Sequence, residues 1–197
     1  MSPAVVFIVF GLVAVAELPD KTMIATVVMG SRNRPRLVWA GAAAAFLVHV
    51  CIAVAAGRLI DLLPHETVQI VVTALFAAGA VVLLALPEKS ELRRGQRAAE
   101  SRPVPTRAMK VVAGAFVVIL LGEWGDLTQV LTVTLVARYH QPWAVGIGAY
   151  AALLAVSALA SFGGQALARR VPLEWVRRAG GVVLLAFTAY GIYSLAA

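Results

Sequence analysis

The sequence predicts an all-α membrane protein of six transmembrane helices, arranged as two inverted three-helix repeats. Three observations carry this. The 197 residues are 61% hydrophobic and 14% charged, with a mean hydropathy of +0.87, where a soluble domain would carry about 25% charged residues. Six apolar stretches of roughly bilayer-spanning length recur along the chain. Landmark residues of the first half also recur in the second at an almost constant offset.

The spans are expected at about 3–29, 37–60, 67–86, 109–136, 143–167 and 174–195. Residues 3–16 of the first are apolar and end in Ala14-Val15-Ala16, which looks like a signal-peptidase site. A leader also needs a positive n-region, and no Lys or Arg precedes Asp20, so the segment is expected to stay as the first span. The first and fourth spans are longer than one crossing needs and carry acids near their middles. Between the halves, Glu88 to Thr106 is charged and contains Pro103 and Pro105, the composition of a flexible linker. The expected organisation is a first repeat over 1–87, a charged cytoplasmic linker over 88–107 and a second repeat over 108–197.

Charge distribution sets the orientation. Arg32, Arg34 and Arg36 fall in the first loop, and Lys89, Arg93, Arg94, Arg97, Arg102, Arg107 and Lys110 in the third. Arg169, Arg170, Arg177 and Arg178 fall in the fifth, which puts fourteen of the 17 basic residues on one side. The positive-inside bias makes that side cytoplasmic and both termini extracytoplasmic. Topology thus accounts for the net charge of +7 without nucleic acid as a partner, and for the linker charges without a specific lipid. Trp39, Trp143 and Trp175 lie near span starts, as interfacial anchors do. The lone Cys51 excludes an intrachain disulfide, and no Cys/His cluster has the spacing of a zinc site.

The repeat is read from alignment of the halves. Glu17-Leu-Pro-Asp20-Lys-Thr22 matches Glu123-Trp-Gly-Asp126-Leu-Thr128 at an offset of 106. Pro35 pairs with Pro142, Gly41 with Gly148 and Gly57 with Gly164 at 107, and Pro64 with Pro172 at 108. Three spans per half is an odd number, so the second half must enter the membrane from the opposite side, as in many secondary transporters.

The chemistry lies in the two motifs. A carboxylate at the centre of a spanning helix costs about 2.5–3.5 kcal/mol, so Glu17, Asp20, Glu123 and Asp126 call for a compensating cation, proton or base. Lys21 is the one basic residue nearby and can neutralise at most one of them; counter-ion, gate and snorkelling residue all fit it. Within each motif Glu and Asp are three apart and share a helical face. Symmetry would gather both pairs into a cage of hard oxygens suited to Ca²⁺, Mn²⁺ or Mg²⁺. Pro19 and Gly125 occupy equivalent positions, where each can break the helix and free carbonyls, or simply kink it. Thr22, Thr128 and Gln129 add neutral oxygens. His49, mid-span, reads as a hydrogen-bonded packing residue ahead of a proton relay. Ser157 and Ser161 read as helix-to-helix bonds, and Trp124 fits packing and gating equally.

The two motifs resemble the Glu-x-Gly-Asp-(Lys/Arg)-(Ser/Thr) signature of uncharacterised protein family sixteen. That group includes Golgi manganese/calcium–proton exchangers, chloroplast manganese transporters and bacterial manganese exporters. The resemblance spans nearly the whole chain and implies exchange of Mn²⁺ or Ca²⁺ for H⁺. It also implies export across a bacterial plasma membrane and no resident cofactor. Carried over by position, the site residues are Glu17, Asp20, Thr22, Glu123, Asp126 and Thr128. The chain departs from the signature at Pro19, where Gly is expected, and at Leu127, where Lys or Arg is expected. Neither position supplies a carboxylate.

Other functions fit less of the sequence. An intramembrane aspartyl protease needs Gly-x-Gly-Asp, whereas Gly122-Glu-Trp-Gly-Asp126 has one residue too many. An amino-acid exporter needs a cationic anchor where this chain has acids, and a thiophilic metal such as Cd²⁺ would find only Cys51. Nothing in the sequence sets the oligomeric state, and a homo-oligomer is compatible with it.

Overall fold

The computed structural model describes residues 2–18, 20–61, 64–85, 107–170 and 173–196. Nearly all of the expected linker, and Pro19 of the first motif, lie outside the described residues. Among those residues the regular structure is entirely helical: α1 (Pro3–Glu17), α2 (Lys21–Arg32), α3 (Pro35–Asp61), α4 (His65–Ala85), α5 (Ala108–Gly122), α6 (Leu127–Tyr139), α7 (Pro142–Arg170) and α8 (Leu173–Ala196). Pro3, Pro35 and Pro142 each open a helix, the position where a missing N–H costs nothing.

The expected first and fourth spans are each two helices. The axes of Pro3–Glu17 and Thr22–Arg32 meet at 73°, and those of Ala108–Gly122 and Leu127–Tyr139 at 68°. Both breaks fall at the acidic motifs. Expected spans two, three, five and six correspond to α3, α4, α7 and α8, with ends within about three residues.

Two helices, Pro35–Ile60 and Pro142–Gly163, are long and apolar enough to cross a membrane, and each bent pair passes the same test if taken as one span. Among the described residues this criterion gives two spans, or up to four with the bent pairs, and not the expected six. Among the described residues of α4 and α8, the apolar segments run over Glu66–Val81 and Gly181–Leu195.

The core joins α1, α3, α5, α6 and α7 through Val9, Val13, Phe46, Ile119, Leu135 and Val145. Large apolar side chains such as Phe7, Leu59, Leu121 and Ile192 stand exposed on the outside. Such a surface suits lipid, where the apolar exterior carries no hydration penalty.

Packing pairs recur between the halves. α3 packs on α5 as α7 packs on α1, and α3 on α6 as α7 on α2, while α3 meets α7 and α4 meets α8. Two glycines set close backbone approaches in the first of these pairs. A Cβ at Gly41 would lie 2.4 Å from the Val112 carbonyl oxygen, and one at Gly148 would lie 2.6 Å from that of Val6. Small residues let helix backbones approach this closely in a bilayer.

Trp39 donates its indole N–H to the Leu154 carbonyl at 3.1 Å, joining α3 to α7. Trp143 is exposed, with the Arg58 guanidinium 5.7 Å from its ring centroid. The Trp175 side chain lies outside those described. The expected bonding by Ser157 and Ser161 is not what the structure shows. Ser157 donates within its own helix, to Leu154 at 3.2 Å, and the buried Ser161 hydroxyl has no partner among the described residues. The close approach of α2 to α7 at this level is set by Gly30, where a Cβ would lie 2.7 Å from the Ser161 carbonyl oxygen.

Candidate metal centre

Both breaks are built the same way. α1 runs to Glu17 and α5 to Gly122, with Glu123 at its C-cap, and a short turn follows in which the Asp N–H reaches the Glu carbonyl. These bonds are Asp20 to Glu17 at 3.0 Å and Asp126 to Glu123 at 3.1 Å. Each Asp is extended and caps the next helix. Asp20 accepts from the Thr22 N–H at 3.1 Å, and Asp126 from the Leu127 N–H at 2.7 Å. An aspartate is the preferred cap because its oxygen satisfies an otherwise unpaired donor and complements the positive helix end.

Gly125 carries the second turn with φ +71°, a left-handed conformation that strains any residue with a Cβ. That is the physical reason for glycine in the motif there. Its first-repeat counterpart, Pro19, lies outside the described residues.

The breaks face each other, and their acids converge. One carboxylate oxygen from each of Glu17, Asp20 and Glu123 lies within 4.8 Å of the other two. Glu17 and Glu123 are 1% and 2% exposed, which places two carboxyl groups in an environment that water does not reach. Thr22 Oγ1 donates to Glu17 Oε1 at 2.7 Å and also lies 2.9 Å from Asp20 Oδ2. Thr128 Oγ1, from the other half, donates to Glu17 Oε2 at 2.9 Å. Among the described residues, the buried Glu123 Oε1 has no hydrogen-bond partner. An acceptor left in this way is costly, and a cation bound among the three carboxylates would satisfy it.

Asp126 does not join this trio; its described role is to cap α6. Of the six residues expected at the site, Glu17, Asp20 and Glu123 offer the clustered oxygens, and Thr22 and Thr128 hold Glu17 in place. The backbone of Lys21 opens α2, and its side chain lies outside those described.

His49 is more closely tied to the site than its mid-span position indicated. Its Nε2 lies 3.0 Å from the Leu120 carbonyl and its Nδ1 3.3 Å from Gln129 Nε2. Gln129 in turn accepts from the Gly125 N–H at 2.8 Å. Trp124, exposed, meets the His49 ring edge-on with centroids 6.2 Å apart. His49, Gln129, Glu123, Thr128 and Thr132 border a cavity of about 10 Å³, the room of a single water. The only sequence signal for this link is asymmetry. The repeat counterparts of His49 and Gln129 are Val156 and Met23.

A buried carboxylate trio at two helix breaks, with hydroxyls from both halves, can hold a hard divalent cation, and by the same charges can hold protons. Comparison with known proteins agrees. The profile of the divalent cation/proton antiporter family GDT1 matches residues 5–91 and again residues 111–197. The chain is 27% identical to GDT1-like protein 3 of Arabidopsis thaliana, over 91% of this chain and 67% of that protein. It is also 27% identical to a GDT1-like protein of Synechocystis, over 89% of this chain and 90% of the other. The chloroplastic PAM71-homolog of Arabidopsis thaliana is 24% identical, over 93% of this chain and 58% of its own length. No solved structure matches the chain. With the family profile covering both halves, the chain belongs to the GDT1 family of divalent cation/proton antiporters, and is a transporter rather than an enzyme.

Proposed function

We propose that this protein exports Mn²⁺ in exchange for protons, with Ca²⁺ as the alternative cargo, and that Glu17, Asp20 and Glu123 are the cation's ligands in this state. The clustering of those three carboxylates, one of them with an unpartnered buried oxygen, carries the reading. Oxygen spacings up to 4.8 Å suit donors around a single ion with metal–oxygen distances of about 2.3–2.6 Å for Ca²⁺ and somewhat less for a smaller ion. Carboxylates and hydroxyls favour Mn²⁺, Ca²⁺ or Mg²⁺ over thiophilic metals.

Exchange follows from charge. Three ionised carboxylates buried together amount to −3, which a low-dielectric interior tolerates poorly as the protein reorients. One divalent cation and two protons change that charge by the same amount. Each load therefore satisfies the site, and each opposes binding of the other. Asp126 and Thr128 enter the ligand set when the two halves exchange roles in the opposite-facing state. An inverted repeat makes such an exchange natural. The recurrence of the family match at an offset of 106, and the paired close approaches at Gly41 and Gly148, support that architecture.

The test is transport in inside-out vesicles. Radioactive Mn²⁺ uptake should be driven by an acidic lumen, collapse with a protonophore, and be inhibited more by unlabelled Mn²⁺ than by Ca²⁺. Stronger inhibition by Ca²⁺ reassigns the cargo, and uptake indifferent to the gradient overturns proton-driven export. Orientation is tested separately, with single cysteines at His65 and Glu100 in a Cys51→Ser background. Labelling of intact cells at 65 alone is expected. Labelling at 100 alone reverses the assigned topology and the direction of transport with it.

A further inference from the structure

Away from the acidic site, the start of α4, the end of α6 and the end of α8 enclose a cavity of about 610 Å³. This is the size of a small-molecule site, which typically runs to a few hundred cubic ångströms or more. Arg138, half-buried in the last turn of α6, stands in its wall. The guanidinium carbon lies 4.8 Å from the Tyr190 ring centroid and 5.7 Å from that of Phe187. Phe187 is itself stacked on Phe76 at 5.1 Å. Both rings lie within cation–π reach of the guanidinium. Its N–H groups are donors, and among the described residues no carboxylate lies within ion-pair distance. Gln69 and Ser194, hydrogen-bonded to each other across α4 and α8, border the same cavity, as does His140.

A ring-braced cation with polar groups beside it is a receptor for an anion. What surrounds the opening identifies which kind. Ile70, Ile192 and Tyr193, sequence neighbours of the lining residues, are 52%, 58% and 71% exposed, so the cavity borders the lipid-facing surface. We propose that this cavity binds the phosphate headgroup of an anionic phospholipid, with the Arg138 guanidinium on the phosphate and the Gln69–Ser194 pair toward the headgroup's hydroxyls. Guanidinium and phosphate match as a bidentate pair. The bound lipid would brace the end of α6 opposite the one that carries Asp126 and Thr128.

The experiment is photo-crosslinking of the purified full-length protein with a photoactivatable phosphatidylglycerol, the adducts mapped by peptide mass spectrometry. Adducts are expected within residues 65–76 and 187–194. Excess phosphatidylglycerol should compete them away, whereas phosphatidylcholine and millimolar inorganic phosphate should not. Arg138→Gln should lower their yield at least tenfold, while adducts at the basic loops stay unchanged and serve as the internal control. Arg138→Lys should retain part of the signal. Adducts confined to the basic loops of the unmutated protein overturn the proposal whether or not any variant folds. Equal labelling by a phosphatidylcholine probe, or an Arg138→Gln yield equal to that of the unmutated protein, does the same. Displacement by inorganic phosphate would assign the cavity to a soluble anion and refute the lipid.

Discussion

The two acidic motifs are alike in sequence and unlike in surroundings. Glu17 receives hydroxyl hydrogen bonds from both halves of the molecule, through Thr22 and Thr128. Glu123, its counterpart, has an oxygen with no partner among the described residues. Asp20 lies among the clustered carboxylates and Asp126 outside them. The second motif is instead pinned to α3 through Gln129 and His49, whereas the corresponding positions for the first motif are Met23 and, on α7, Val156. A duplicated motif supplies the carboxylates, and departures from the duplication decide how each is held. A transporter that must present its site to two sides benefits from this difference, because one arrangement is then one state of the pair and not the average of both.

The largest effect should come from neutralising the acids. Glu17→Gln and Glu123→Gln are each expected to abolish exchange, with at least a hundredfold loss in initial rate. Their stabilities should separate them. Glu17→Gln weakens two bonds of the kind worth about 1.5–3 kcal/mol each and should lower the thermal midpoint in detergent. Glu123→Gln removes a carboxylate with an unsatisfied oxygen and should leave the midpoint unchanged or raised. Equal midpoint shifts would break the comparison between the two glutamates, and full activity in both variants would remove the shared site.

Next in size is the backbone of the second break. Gly125→Ala meets no neighbouring atom within 4 Å, so its cost is conformational alone, about 1–2 kcal/mol for a left-handed residue. Unchanged stability, by chemical denaturation, would mean the turn relaxes freely and that glycine is not needed there. Thr128→Val should follow, because Thr128 is the hydroxyl that reaches Glu17 from the other half. About tenfold weaker Mn²⁺ binding is expected, the equivalent of about 1.4 kcal/mol, with folding retained. Thr22→Val should cost at least as much, since its hydroxyl lies within hydrogen-bonding reach of both Glu17 and Asp20. If Thr128→Val binds Mn²⁺ as the unmutated protein does, the link between halves is incidental.

Much of this organisation was legible in the sequence. The helices followed from apolar run length, and both breaks were marked by acids beside Pro19 and Gly125. The repeat was visible because motif, proline and glycine landmarks keep register over about a hundred residues. The sequence could not show that Asp126 would cap a helix while Asp20 joined the cluster, because both sit at the same motif position and both cap. That distinction arises from how the halves dock. Arg138 was likewise unremarkable as one of two basic residues on the expected outer side. Its aromatic bracing comes from α8, some fifty residues further along. Ser157 misled for a related reason, since a hydroxyl in a spanning helix satisfies its own backbone as readily as it bonds across.

The smallest effect concerns the brace peculiar to the second motif. Gln129 accepts the Gly125 N–H at 2.8 Å and meets His49 at 3.3 Å, so one side chain ties the strained turn to α3. Gln129→Leu removes both contacts and should cost about 1 kcal/mol, the usual net worth of such a hydrogen bond, with a few-fold fall in transport rate and no change in metal preference. His49→Phe keeps a ring against Trp124 but loses the link and should cost a similar amount. Because both substitutions break the same contact, the double variant should be less destabilised than the two single costs combined. Strict additivity would separate His49 from the turn and reduce it to a packing residue bonded to the Leu120 carbonyl. If Gln129→Leu alone matched the unmutated protein in stability and rate, the second break would need no brace that the first lacks. The contrast between the motifs would then rest on the two glutamates alone.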